Sequence, residues 1–146
     1  MKRIAIALLS TLALLQVSAA DGVWLTDLAK AKQQAKAENK LVLLDFTGSD
    51  WCPPCKALHK NVLSSKEFTD YAKKNLVLVE VDFPRSKPQS AELKKANKAL
   101  ATQFGIKAYP TIVILDSSGK ELSKKSGYGG EKPDAFIARI EALKRS

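Results

Sequence analysis

The only two cysteines in 146 residues stand two residues apart, in Trp51-Cys52-Pro53-Pro54-Cys55-Lys56. Upstream, Leu41-Val42-Leu43-Leu44-Asp45-Phe46 is an almost unbroken apolar run, the pattern of a strand buried on both sides of a sheet. Downstream, proline suits the first helical position, and the sequence predicts a helix from Pro53 to about Leu63. A Cys-x-x-Cys pair that opens a helix after a hydrophobic strand is the usual setting for reversible dithiol–disulfide chemistry.

The spacing has a physical basis. The first cysteine of such a pair faces unpaired backbone N–H groups and the positive end of the helix dipole, which favour thiolate over thiol. Cys52 is therefore expected to attack a partner's disulfide, and Cys55, one turn in, to resolve the mixed disulfide. Pro53 and Pro54 stiffen the turn but donate no N–H, and Asp50 adds a negative charge nearby, so the expected lowering at Cys52 is moderate. Two other uses of the pair stay open: a structural disulfide, and half of a metal site. So short a loop adds little stability when closed. A zinc site needs four ligands, and the soft ligands here are two cysteines and His59.

The N-terminus bears on location. Lys2 and Arg3 precede an apolar run from Ile4 to Leu15, and Val17-Ser18-Ala19-Ala20 offers small residues for cleavage. This is the layout of a secretory signal peptide over residues 1–20, with one domain over residues 21–146. The alternative is an uncleaved anchor, but the run is shorter than the roughly 20 apolar residues that span a bilayer. No cysteine lies there to carry a lipid. Export places the chain where disulfides form and persist, in the periplasm or outside the cell, with no stable membrane insertion after cleavage.

Removing the leader leaves about 126 residues, one domain with an adequate core. The formal charge of +9 falls to about +7 without Lys2 and Arg3. The lysines are scattered over polar faces and turns, and no aromatic residues are interleaved with them as a base-stacking platform requires. Nucleic-acid binding is therefore not expected.

Alternating elements follow. Thr26 is the expected cap of a helix reaching about Glu38, with Leu28, Ala31 and Ala35 on one face. Strands are expected over Leu41–Thr47, Leu76–Asp82 and Thr111–Leu115, with a hairpin at Asp116–Gly119 and a return strand from Glu121 to about Gly127. Helices are expected over Lys66–Lys74 and Ser90–Phe104, and from Pro133 with Phe136, Ile137, Ile140 and Leu143 inward. Phe83 to Pro88 is a proline-broken loop.

With these elements in order, the chain resembles the thioredoxin family. The resemblance rests on Leu43-Leu44-Asp45-Phe46 with Trp51-Cys52-Pro53-Pro54-Cys55-Lys56, on Phe104-Gly105-Ile106-Lys107-Ala108-Tyr109-Pro110-Thr111, and on Gly127-Tyr128-Gly129-Gly130 before the last helix. It implies an α/β thioredoxin fold, a central mixed β-sheet flanked by helices on both faces. It implies Cys52 as exposed nucleophile and Cys55 as buried resolving thiol, the two forming the redox-active disulfide. It implies Pro110 as a cis-proline that, with Tyr109 and the flanking Trp51, receives an extended substrate segment. Asp45 resembles the family's buried acid, which takes the Cys55 proton.

Two departures stand out. The spacing from Asp45 to Cys52 is one residue longer than in thioredoxin. The lysine that often neighbours the acid is not evident, with Leu78 near its place. The Gly48-Ser49-Asp50-Trp51-Cys52 lead-in and the longer Phe83–Ala101 segment are similar to exported bacterial thioredoxin-like proteins and to the periplasmic thioredoxin-like domain of the thiol-reductant conductor.

The sequence thus predicts a periplasmic or secreted thiol–disulfide oxidoreductase, with reduction or isomerisation favoured over oxidation. Its expected partners are cysteine-containing exported proteins and a membrane or periplasmic redox protein that recharges the site. No cofactor and no metal are expected. The alternative is a thioredoxin-fold binding module that holds exported clients or Cu(I) through Cys52 and Cys55 without turnover.

Overall fold

A strand with apolar side chains on both faces must lie inside a sheet with both faces covered. In the computed structural model, which describes residues 23–145, that strand is β1 (Leu41–Thr47). Val42, Leu43, Leu44 and Phe46 are fully buried. β1 pairs parallel with β2 (Leu76–Asp82) and antiparallel with β3 (Thr111–Leu115). β3 pairs in turn with β4 (Glu121–Ser126), giving a mixed sheet of order β2-β1-β3-β4. The expected leader at 1–20 lies outside the described residues.

Helices cover both faces. Side chains of α1 (Leu28–Glu38) and α4 (Ala91–Gln103) pack with Val42, Leu44, Phe46 and Val113 on one side. α2 (Pro53–Leu58), α3 (Lys66–Asn75) and α5 (Pro133–Leu143) pack with Leu43, Leu78, Ile112 and Ile114 on the other. Period-two alternation explains the division, since successive strand residues point to opposite faces. On the second side the rings of Phe68 and Phe136 meet edge to face at 5.6 Å.

Two boundaries differ from expectation. α1 is capped by Asp27, which accepts the Lys30 N–H at 3.1 Å, and not by Thr26. Both residue types cap well, and the helix begins one residue later than expected. The helix led by the cysteines stays α-helical only to Leu58. It widens into a π-helical turn over His59–Leu63, closed by the Ser64 N–H to the His59 carbonyl at 2.9 Å. Among the described residues no helix is long and apolar enough to cross a membrane.

Candidate active site

Cys52 is the N-cap of α2, in extended backbone conformation, and its Sγ accepts the Cys55 N–H at 3.4 Å. Pro53 and Pro54 occupy the first turn, where their missing N–H groups would have had no helical partner. The two cysteines are joined as a disulfide with Cα atoms 5.3 Å apart. Both are 3% exposed. Cys55 is as buried as a resolving thiol requires. Cys52 is not the exposed residue expected: with the disulfide closed, its sulfur is turned onto the start of the helix and only a sliver reaches solvent.

The antiparallel register pairs Phe46 with Thr111, so Pro110 sits at the end of the sheet where β1 gives way to the cysteine loop. The Tyr109–Pro110 peptide is cis. Pro110 is buried, and its carbonyl accepts the Gly127 N–H at 2.8 Å. Tyr109 reaches the cysteine loop through its ring, which meets Trp51 edge-on at 6.0 Å.

Trp51 is held on three sides. Its indole N–H donates to the Phe83 carbonyl at 2.8 Å. The Arg85 guanidinium lies 3.9 Å from the ring centroid. Gly48 runs beneath it so closely that a Cβ there would stand 2.4 Å from the indole. The loop that supplies Phe83 and Arg85 is fixed in turn by Asp50. Its carboxylate accepts N–H groups from Arg85 at 3.0 Å, Ser86 at 2.7 Å and Lys87 at 2.9 Å. These bonds hold Asp50 at a pKa of about 2, with the Arg85 N–H the largest contributor. The charge expected to disfavour a Cys52 thiolate is thus directed at the loop. Sequence reasoning identified neither this clamp nor the roles of Phe83 and Arg85, because both depend on contacts across more than thirty residues.

Asp45 is 5% exposed, with its Oδ1 buried and unpartnered. Burial first, and then the charges of Glu80 and Asp82, push its carboxyl up to about 7. It faces a pocket of about 240 Å3 shared with Cys55, Lys56, His59, Glu80 and Lys87. The residue beside Asp45 on β2 is Glu80, not Leu78. A carboxylate therefore occupies the place where a lysine was looked for. Its signal in the sequence is the single charge inside Leu76–Val81, but only the pairing register shows which residue it faces. His59 is exposed, as a helix-surface histidine would be, and its Nδ1 lies 3.0 Å from the Ser64 hydroxyl. Among the described residues no group of three or more His, Cys, Asp or Glu could hold a metal ion.

A sheet of this order with a Cys-x-x-Cys helix start, a cis X–Pro at the entry of the antiparallel strand and a buried acid defines a thioredoxin-like protein. The thioredoxin-like domain profile matches residues 28–144, and the chain belongs to that family. It is 32% identical over 126 residues to the disulfide bond reductase DsbH of Chlamydia pneumoniae, covering 86% of this chain and 75% of that protein. A solved DsbH oxidoreductase structure superposes with a TM-score of 0.78 at 31% identity, covering 89% of each chain. The thiol:disulfide interchange protein DsbD of Vibrio cholerae is 32% identical over 111 residues, which are 75% of this chain but 17% of DsbD.

Proposed function

We propose that this protein is a thiol–disulfide oxidoreductase that exchanges the Cys52–Cys55 pair with cysteines of exported proteins, and that it works chiefly by reduction or isomerisation. The observation that carries the reading is the disulfide at the cap of α2, with Cys55 lining the same pocket as a buried Asp45 whose Oδ1 has no partner. One sulfur is placed for attack, and the other has a base in reach of its environment.

In the reducing direction the Cys52 thiolate attacks a client disulfide. A Cys52–client bond forms, the client S–S bond breaks, and one client thiolate leaves. Asp45 takes the Cys55 proton. The Cys55 thiolate then attacks Cys52 Sγ, closing the protein's disulfide and releasing the second client thiolate. Two electrons pass to the client. Pro110 cannot donate an N–H, so the Tyr109–Pro110 edge offers its backbone to an extended client segment, with Trp51 and Tyr109 as its apolar flank.

The preference for reduction follows from charge. A strong oxidant is one whose reduced form is stabilised. Here Asp45, Glu80 and Asp82 lie on the Cys55 side, and two prolines withhold N–H groups from Cys52. Both features disfavour thiolates and hence the reduced form. The name of DsbH, a disulfide bond reductase, is in keeping with this reading. Residues 1–20 act as the export signal and residues 21–146 as the working domain in the periplasm or outside the cell. A membrane or periplasmic dithiol protein re-reduces the site.

The test is turnover of a disulfide-bonded protein substrate with a thiol reductant in excess. The wild type should accelerate reduction and Cys52→Ala should not. Equal rates with and without the wild-type protein would overturn the proposal.

A further inference from the structure

The β1–β2 register sets Asp45 directly against Glu80. Residues in register on neighbouring strands point to the same face, and both side chains line the pocket that Cys55 also lines. Asp45 is boxed in by apolar neighbours elsewhere: Leu43 and Ile112 belong to the core on its face, and Ile112 is its partner on β3. A proton that reaches Asp45 must leave through a polar wall, and this pocket provides one. Its volume of about 240 Å3 has room for several waters, at roughly 30 Å3 each. Glu80 is partly exposed, so it connects the buried carboxyl to solvent.

The charges around the pair come from β2, from α2 with its π-helical turn, and from the loop after β2. β2 adds Asp82, whose carboxylate is occupied by the Ser49 N–H at 2.9 Å and the Ser49 hydroxyl at 2.5 Å. α2 and its π-helical turn add Lys56 and His59, and the loop after β2 adds Lys87, whose Nζ donates to Ser49 Oγ at 3.1 Å. β3 places the apolar Ile112 against Asp45. Burial and Asp82 raise the Glu80 carboxyl, while Lys87 and His59 pull it back. Glu80 therefore stands between an acidic side and a cationic rim.

We propose that Glu80 is a positioning residue for the exchange reaction: set beside Asp45 and facing the same pocket, its carboxylate controls the proton that passes between Asp45 and Cys55. This rests on the oxidoreductase reading above. When Cys55 becomes a thiolate, its proton moves to the Asp45 carboxylate. That proton then leaves by way of Glu80 and pocket water to solvent. When the disulfide is re-reduced, the same path returns one proton to Cys55. A negative Glu80 keeps Asp45 protonated to higher pH, so it sets the range in which Asp45 accepts.

The test follows the Asp45 carboxyl by 13C NMR in the oxidised protein, and the rate at which the reduced protein reduces a small disulfide, both against pH. Glu80→Gln keeps the shape and removes the charge, and Glu80→Lys reverses it. The Asp45 midpoint should move to lower pH in Glu80→Gln and further in Glu80→Lys. The rise of rate with pH should move with it. For a one-unit move, Glu80→Gln at pH 6 should react roughly five times faster than wild type. A purely structural role would lower the melting temperature without moving either midpoint, and that result overturns the proposal. So does a shifted Asp45 midpoint with an unshifted rate profile. A wild type that reduces no disulfide at all would overturn the oxidoreductase reading instead, and the NMR midpoints, which need no activity, keep the two failures apart.

Discussion

Asp45 shows what one buried carboxyl does to the whole chain. Its folded pKa of about 7 stands above its ordinary value of 3.8, so between those values the folded state binds more protons than the unfolded one. Its contribution is fully present below pH 4 and is lost as pH rises to 7. With 1.36 kcal/mol per unit, the loss has a ceiling of about 4 kcal/mol. Denaturant melts of the oxidised protein should therefore show Asp45→Asn close to wild type near pH 4 and more stable by a few kcal/mol at pH 8. Parallel curves for the two proteins would contradict the assignment. Asp45 was legible in the sequence through its resemblance to the family's buried acid. Glu80 was not, because its meaning depends on which residue of β1 it faces, and a shift of two residues along the strand puts Leu78 there instead.

The elements are where local signals and tertiary contacts part company. β1, β2 and β3 were readable to the residue, since unbroken apolar runs leave little choice. The π-helical turn at His59–Leu63 was not, because nothing in His-Lys-Asn-Val-Leu distinguishes it from an α-helix. The loop after β2 was visible as a break at Pro84 and Pro88, yet its docking on the cysteine loop was hidden. Asp50 organises that docking, so Asp50→Ala should leave three backbone N–H groups without their acceptor. With that acceptor gone, amide exchange at Arg85, Ser86 and Lys87 should quicken relative to wild type. Unchanged exchange there would show that the loop is held by other means. Gly48 is the second support. In Gly48→Ala the new Cβ would collide with a rigid indole, so Trp51 must swing out and lose its bond to the Phe83 carbonyl. Tryptophan emission should shift to the red, with a stability loss of about 1–3 kcal/mol. An unaltered spectrum would mean the backbone yields in place of the ring.

At the scale of the whole molecule, two apolar layers clamp a four-stranded sheet and leave the exchange site at the end where β1 stops and β3 begins. A mixed sheet covered by helices on both faces followed from pattern and family resemblance, whereas the strand order is seen only in the fold. The closed surface around Cys52 did not follow from them either, because it arises from the disulfide and from residues brought together only by folding. The site and the core are separable. Phe136→Ala, in the layer that also carries α2 but outside the pocket shared by Cys55 and Asp45, should cost about 3–5 kcal/mol in a melt while the folded protein keeps its exchange rate. A large drop in rate under native conditions would instead tie the site to that layer. The account's central claim is that Cys52 attacks and Cys55 resolves. The most direct measurement is to mix reduced Cys55→Ala protein with a disulfide-bonded protein substrate and weigh the products under non-reducing conditions. The account predicts a single covalent adduct through Cys52 that added dithiol dissolves. No adduct, or equal capture by Cys55 in Cys52→Ala, would contradict it.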